Sequence, residues 1–191
     1  MIDINLRDYQ TEYVAKTLEA FKTHNKVVWG AAPNAGKTRM SLFILNKMVN
    51  EGKNAVVLAH GTNVLKTQYR DRAVELGLKD MISYKVEDEK PITIVIPHNL
   101  YTKSLKPVDI LVIDEADEFY FAKQTAKSKS ETSMIDKIIK QLRPKHILFL
   151  TGTPSKFIAS NDKEGGEKFH IMPIAMNSIP LEFLDEAHFS P

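Results

Sequence analysis

Cysteine is absent from this chain. That excludes a disulfide framework, a thiol nucleophile and any zinc site built on sulfur. Long apolar runs are absent too. No stretch approaches the roughly 18 consecutive apolar residues of a membrane span. No excess of one charge sign stands out: 26 Lys and Arg face 24 Asp and Glu, a net charge of +2. This balance neither marks a nucleic-acid binder nor excludes one. The start, Met1 to Asn5, carries charge early and has no apolar core, so no signal peptide is expected. No internal repeat is visible.

What remains is the composition of an ordinary soluble globular protein, with 43% hydrophobic and 26% charged residues among 191. One domain is the expected count at this length. The patterning alternates. A helix is expected over 6–24, with Val14, Leu18 and Phe21 on one face, and an apolar strand over 26–29 ends at Gly30. A loop covers 31–36, and a helix over 37–50 stops at Gly52. Apolar strands follow at 55–59, 92–96, 109–113 and 146–150. Helices are expected over 63–76 and along the face made by Met134, Ile135, Ile138, Ile139 and Leu142. Residues 123–133 and 160–168 are expected to be loops, and 169–176 an added strand. Lys123, Lys127 and Lys129 are expected on a solvated face. Near-continuous apolar strands alternating with amphipathic helices predict an α/β fold, a mostly parallel sheet covered on both faces. Ligands of such sheets sit at the C-terminal ends of the strands, so the loops there carry the functional signal.

The first such loop is Ala31-Ala32-Pro33-Asn34-Ala35-Gly36-Lys37-Thr38, between a strand and a helix. Phosphate binding needs inward backbone N–H groups, a helix N-terminus and a compact cation. Gly36 allows close backbone approach, Lys37 can reach β- and γ-phosphates, and Thr38 can ligate Mg²⁺. Ala31 stands where the strict P-loop has Gly. The plain alternative is an ordinary helix cap. The second loop is Asp114-Glu115-Ala116-Asp117, directly after the strand 109–113. Metal–nucleotide chemistry needs one carboxylate near Mg²⁺ and another to orient or deprotonate water. Acids opening a helix would be the alternative.

Together these residues resemble the DEAD-box and related superfamily-two helicases. Asp-Glu-Ala-Asp matches their motif II, and the loop ending Gly36-Lys37-Thr38 resembles their motif I. Thr151-Gly152-Thr153-Pro154 looks like motif III, and Leu6-Arg7-Asp8-Tyr9-Gln10 resembles the adenine-reading element of phage recombination helicases, restriction-enzyme motor subunits and Swi/Snf translocases. The resemblance spans residues 6–154. It implies a three-layer RecA-like P-loop NTPase domain over 1–175, followed by a segment, 176–191, leading toward a second motor lobe expected in cis or in trans.

The resemblance also assigns roles. ATP is the implied substrate and Mg²⁺ the implied cofactor. Arg7 and Gln10, with Pro33, Asn34, Ala35, Gly36, Lys37, Thr38 and Arg39, would bind ATP. Lys37, Asp114 and Glu115 would be catalytic, and Thr38 and Asp114 would hold Mg²⁺, partly through water. Asp117, Thr151 and Thr153 would couple the nucleotide to the nucleic-acid side. Gln10 alone would otherwise read as a solvated helix residue, and Thr151 and Thr153 as a strand-end turn. The nucleic-acid motifs match less well. His60-Gly61-Thr62 and Ile96-Pro97-His98-Asn99-Leu100 stand at their positions, the second without the usual Arg; Thr62, His98 and Asn99 are the candidate contacts. The implied protein is the ATP-binding lobe of a helicase or translocase, with DNA favoured over RNA, no membrane partner, and a cytoplasmic location, in the host cell if phage-encoded. The competing readings are a non-hydrolysing nucleotide-binding regulatory module and a P-loop kinase or GTPase-like switch.

Overall fold

A computed structural model describes residues 6–32, 35–59, 63–100, 103, 106–120 and 134–173. In chain order the elements are α1 (Asp8–Ala20), β1 (Lys26–Gly30), α2 (Lys37–Asn50), β2 (Ala55–Leu58), α3 (Asn63–Glu75), β3 (Ile82–Ser83), β4 (Ile92–Val95), α4 (Pro97–Leu100), β5 (Ile110–Ile113), α5 (Ala116–Tyr120), α6 (Met134–Leu142), β6 (His146–Thr151), α7 (Ser155–Asp162) and β7 (His170–Pro173). The strands form one sheet in the order β3-β4-β2-β5-β6-β1-β7. Every adjacent pair is parallel.

Successive side chains of a strand point to opposite faces, and the core divides accordingly. Val27 and Trp29 of β1, Val57 of β2, Ile94 of β4, Val112 of β5 and Leu148 of β6 face one way. They meet Val14 of α1, Leu42 and Leu45 of α2, and Tyr69 and Ala73 of α3. Val28, Val56, Leu111, Ile113 and Phe149 face the other way, onto Ile135, Ile138 and Leu142 of α6 and Phe157 of α7. Because both faces are covered, the central strands carry apolar residues at nearly every position rather than at alternate ones. This is the three-layer α/β architecture that the alternation predicts, with a sheet parallel throughout its described pairs.

The expected elements recur with ends moved by a few residues. The helix expected over 6–24 is Asp8–Ala20, because Arg7 is extended and caps it. The 160–168 loop is shorter than expected: α7 runs through Asp162 before the chain turns. β3, α4, α5 and the two-turn α7 have no counterpart among the expected elements. A strand of two residues has no period to read, and one turn of helix barely has one. The loop expected at 123–133 lies outside the described residues, as do 174–176 of the added strand and the whole segment 176–191.

The strand order decides where chemistry can gather. β1, β6 and β5 are neighbours, although β5 lies some eighty positions after β1 in the chain. The loops after these three strands carry the three strongest motifs. Parallel strands end on one side, so the three loops emerge side by side.

Candidate nucleotide site

The loop after β1 closes at Gly36, whose φ of +83° belongs to the left-handed region that costs glycine nothing. A side chain there would also strike Gln10, since an added Cβ would lie 2.3 Å from Nε2. Lys37 opens α2 and folds back over the loop, donating from Nζ to the carbonyls of Ala31 at 2.8 Å and Ala32 at 3.3 Å. Burial pulls the Lys37 ammonium below its ordinary pKa, against the attraction of Glu115, Asp114 and Asp117. Thr38 and Arg39 occupy the first turn of α2 and are half-buried. Pro33 and Asn34 lie outside the described residues.

Asp114 ends β5 and is only 4% exposed. One of its oxygens accepts the Glu115 N–H at 3.1 Å. Burial, helped by the neighbouring Glu115 charge, pushes its carboxyl from 3.8 up to about 6, against the lowering effect of that N–H, Lys37 and Tyr69. Glu115 has φ +48°. A non-glycine residue in that region pays roughly 1–2 kcal/mol, and such outliers gather at functional sites. A test follows from the backbone alone. Glu115→Gly should melt about 2–4 °C above Glu115→Ala, roughly 1 kcal/mol in a domain of this size. Thermal melts in which Ala equals or exceeds Gly would show that the backbone at Glu115 is not strained.

Asp117 joins two loops. Its carboxylate accepts from the Thr151 hydroxyl and, at 2.6 Å, from the Thr153 hydroxyl. Thr151 in turn accepts the Thr153 N–H at 2.9 Å. Burial pushes the Asp117 carboxyl up, but the Thr151 and Thr153 hydrogen bonds, with lesser help from Lys156, hold it below the ordinary value. The next residue, Pro154, packs on the end of β1. A Cβ on Gly30 would come within 2.7 Å of the Pro154 ring. The loops after β1, β5 and β6 are thus physically interlocked, and Ala31 N–H donates to Thr151 O at 3.0 Å.

Gln10 is 3% exposed, so it is not a solvated helix residue. Its Oε1 accepts Arg7 N–H at 3.1 Å, and its Nε2 faces the Tyr9 hydroxyl at 3.3 Å and Ala35 O at 3.5 Å. The Tyr9 hydroxyl also donates to Ala35 O, at 3.2 Å. The start of α1 is therefore pinned to the phosphate-type loop. His98 and Asn99 sit exposed in α4, at the C-terminal end of β4. They are separated from Lys37 by the width of several strands. Thr62, with His60 and Gly61, lies outside the described residues.

The donor set fits Mg²⁺ with a phosphate ligand. Three carboxylates, Asp114, Glu115 and Asp117, act on one ammonium, leaving an excess of negative charge that a divalent cation would balance. Among the described residues no cluster of three or more His, Asp or Glu could cage a metal by itself. That matches Mg²⁺, which takes one or two carboxylates and completes its shell with water and phosphate. Sequence reading missed two residues that the fold brings here: Gly30, which lies against Pro154, and Ser41, whose hydroxyl donates to Thr38 O at 2.9 Å. Only Gly30 carried a signal, as the glycine ending an apolar strand.

Comparisons with known proteins bear on the family and the fold. A family model described as "Type III restriction enzyme, res subunit" matches residues 3–156. The chain belongs to this family. It is an N-terminal RecA-like motor domain of the superfamily-two helicase type, as its motifs imply. In this restriction-enzyme family the four letters of Asp114 to Asp117 do not by themselves make a DEAD-box protein. Solved structures share the fold. The Sulfolobus solfataricus SWI2/SNF2 ATPase core in complex with dsDNA aligns with a TM-score of 0.63 and 21% identity, covering 80% of this chain and 33% of that one. The UvsW helicase from bacteriophage T4 aligns at 0.63 and 16%, covering 88% and 60%. The Pyrococcus furiosus Hef helicase domain aligns at 0.60 and 17%, covering 88% and 38%. The chain thus spans about a third to three fifths of the length of these structures. Comparison with curated proteins gives no match. Among the described residues, no helix of this ResIII domain is long and apolar enough to cross a membrane.

Proposed function

We propose that this domain is the Mg-ATP-binding lobe of an ATP-dependent DNA helicase or translocase, spanning residues 1–175, with 176–191 leading toward a second lobe in cis or in trans. The observation that carries the reading is the interlocked trio of loops: Lys37 beside Asp114 and Glu115, and Asp117 holding Thr151 and Thr153. Lys37 would leave the Ala31 and Ala32 carbonyls for the β- and γ-phosphates. Backbone N–H groups around Ala35 and Gly36, and the positive end of α2, would meet the remaining phosphate charge. Thr38 and Asp114 would hold Mg²⁺, which when bound neutralises phosphate charge. Glu115 would orient the attacking water and accept its proton. Asp117 would pass the state of this site to β6 through two hydroxyls. Arg39, one residue past Thr38, and Arg7 would flank the nucleotide. DNA is favoured over RNA because the motifs resemble the DNA-acting branch, and one neighbouring structure is a dsDNA complex. Contacts to DNA would come from Thr62, His98 and Asn99, through backbone and phosphate rather than base edges.

Gln10 supplies specificity in this reading. An amide offers one donor and one acceptor side by side, which fits adenine N7 and N6. Guanine keeps the N7 acceptor but presents the acceptor O6 where adenine presents the donor N6, so the amide oxygen would face a second acceptor. Calorimetry on residues 1–191 should show tighter binding of Mg-ATP than of Mg-GTP, and Gln10→Ala should narrow that gap. Equal affinities in the unaltered domain would remove adenine recognition from Gln10.

Two further variants separate binding from chemistry. Lys37→Ala deletes a phosphate-facing charge and should weaken nucleotide affinity by roughly tenfold to a hundredfold, as for a lost charged hydrogen bond. Glu115→Gln keeps shape and hydrogen bonding and should bind as the unaltered domain does. A Lys37→Ala protein that binds ATP with undiminished affinity would take the phosphate role away from Lys37.

A further inference from the structure

Two side chains of the motif at residues 6–10 reach the loop after β1, and one of them, Tyr9, has no part in the nucleotide reading above. Tyr9 is half-buried at the start of α1 and packs against the apolar core. Its hydroxyl donates to Ala35 O at 3.2 Å and accepts from Gln10 Nε2 at 3.3 Å. Gln10 Nε2 itself lies farther from that carbonyl, at 3.5 Å. Phenylalanine would pack in the same place, so what the hydroxyl adds is a hold on one carbonyl of the loop.

That carbonyl belongs to the peptide between Ala35 and Gly36. Among the described residues no peptide bond is cis, and in a planar trans peptide the C=O and the N–H point in opposite directions. Holding Ala35 O toward Tyr9 therefore turns the Gly36 N–H away from α1. Gly36 is left-handed, with φ +83° and ψ +24°, and Lys37 after it opens the helix. A left-handed residue beside a right-handed one aims successive N–H groups at one concavity, the geometry of an anion nest. The first N–H groups of α2 add to it, since a helix leaves them without internal partners. Other carbonyls of the described loop are held as well. Ala31 O and Ala32 O accept from Lys37 Nζ, and Gly36 O accepts the Met40 N–H at 2.9 Å.

We infer that Tyr9 is a positioning residue for the phosphate loop: its hydroxyl holds the Ala35 carbonyl on the α1 side, so that the Gly36 N–H faces the phosphates of the nucleotide. The inference rests on the nucleotide-site reading above. The hold outlasts the changes that binding would bring. Gln10 would spend its Nε2 donor on adenine, and Lys37 would leave the Ala31 and Ala32 carbonyls for phosphate. Tyr9 has no such second task, so its bond to Ala35 O stays. It ties the helix that would read the base to the backbone that would meet the phosphates, and one hydroxyl sets the two in register.

Calorimetry and amide NMR on residues 1–191 test this, with Tyr9→Phe as the variant. Phe keeps the ring and its packing and removes only the hydroxyl. Tyr9→Phe should bind Mg-ATP about three- to tenfold more weakly, the effect of one lost hydrogen bond. In the unaltered chain, saturating Mg-ATP should move the Gly36 amide proton downfield, as a bond to a phosphate oxygen requires. In saturated Tyr9→Phe that shift should be smaller. A hydroxyl that serves stability alone would lower Tm and leave the saturated Gly36 shift unchanged, and that result overturns the proposal. Undiminished Mg-ATP affinity in Tyr9→Phe overturns it too, as does an unaltered chain that binds Mg-ATP while its Gly36 amide does not move. An unaltered chain that binds no Mg-ATP overturns the nucleotide reading and the proposal with it.

Discussion

Residues 1–191 on their own should hydrolyse ATP roughly 10³–10⁵-fold more slowly than a complete two-lobed motor, the usual cost of a missing arginine finger. The geometry gives the reason. Lys37 and Thr38 follow the C-terminal end of β1, and Asp114 and Glu115 that of β5, with only β6 between the two strands. In the proposed reading they would meet the phosphates from one side. Charge developing on the γ-phosphate needs a cation from the opposite side as well, and phosphoryl transfer depends almost wholly on such placement. The solved neighbours are longer than this chain, which covers 33% of one and 60% of another. DNA would touch a single lobe, so its binding should be weak, salt-sensitive and nearly indifferent to sequence. Steady-state ATPase with and without single-stranded and forked DNA is the measurement, with Glu115→Gln as the control for contaminating activity. Brisk DNA-stimulated turnover that the Glu115 variant abolishes would mean that the chain completes its site another way, for instance by self-association.

Asp114→Asn should raise the stability of the nucleotide-free domain near neutral pH by as much as about 3 kcal/mol, several degrees in Tm, while removing the Mg²⁺ dependence of nucleotide binding. The sign follows from the shift. The Asp114 carboxyl rises from 3.8 in the unfolded chain to about 6 in the fold. Below pH 4 both states hold the proton and the residue costs nothing. As pH rises through 6 the folded protein must ionise a buried acid, and that part of its stability is lost. Roughly two pKa units at 1.36 kcal/mol each set the upper size of the effect. Asn keeps the acceptor for the Glu115 N–H and carries no charge. The Tm difference between D114N and the unaltered chain, measured in EDTA, should therefore be large at pH 8 and shrink toward pH 4. A difference independent of pH, or a destabilised variant at pH 8, would show that burial does not govern the ionisation of Asp114. A site that weakens its own fold to keep a buried carboxylate is what a cation-binding function requires, since the cation returns the lost stability on binding.

Much of this was legible in the sequence because it is local. Apolar runs such as 55–59 and 146–150 predict buried strands through their lack of alternation, and the helix face of Met134, Ile135, Ile138, Ile139 and Leu142 appears in its own spacing. Gly36, Lys37 and Thr38, and likewise Asp114 to Asp117, stand out in the sequence because phosphate and metal–nucleotide chemistry would use such side chains in that order, and the structure places both sets on strand-end turns. Other features have no local signature. The order β3-β4-β2-β5-β6-β1-β7 comes from the packing of helices on both faces, and it alone brings the loop after β1 against those after β5 and β6. Gln10 looks like a surface helix residue until the fold lays it on Gly36. The left-handed backbone of Glu115 and the burial of Asp114 are set by neighbours distant in the chain. Tyr69 is one residue of α3 in the sequence, and only tertiary packing buries it completely, hydroxyl included. Side-chain periodicity and motif chemistry act over a few residues, so sequence carries them. Burial, charge pairing and the meeting of loops are properties of the closed sheet, so the tertiary structure decides them.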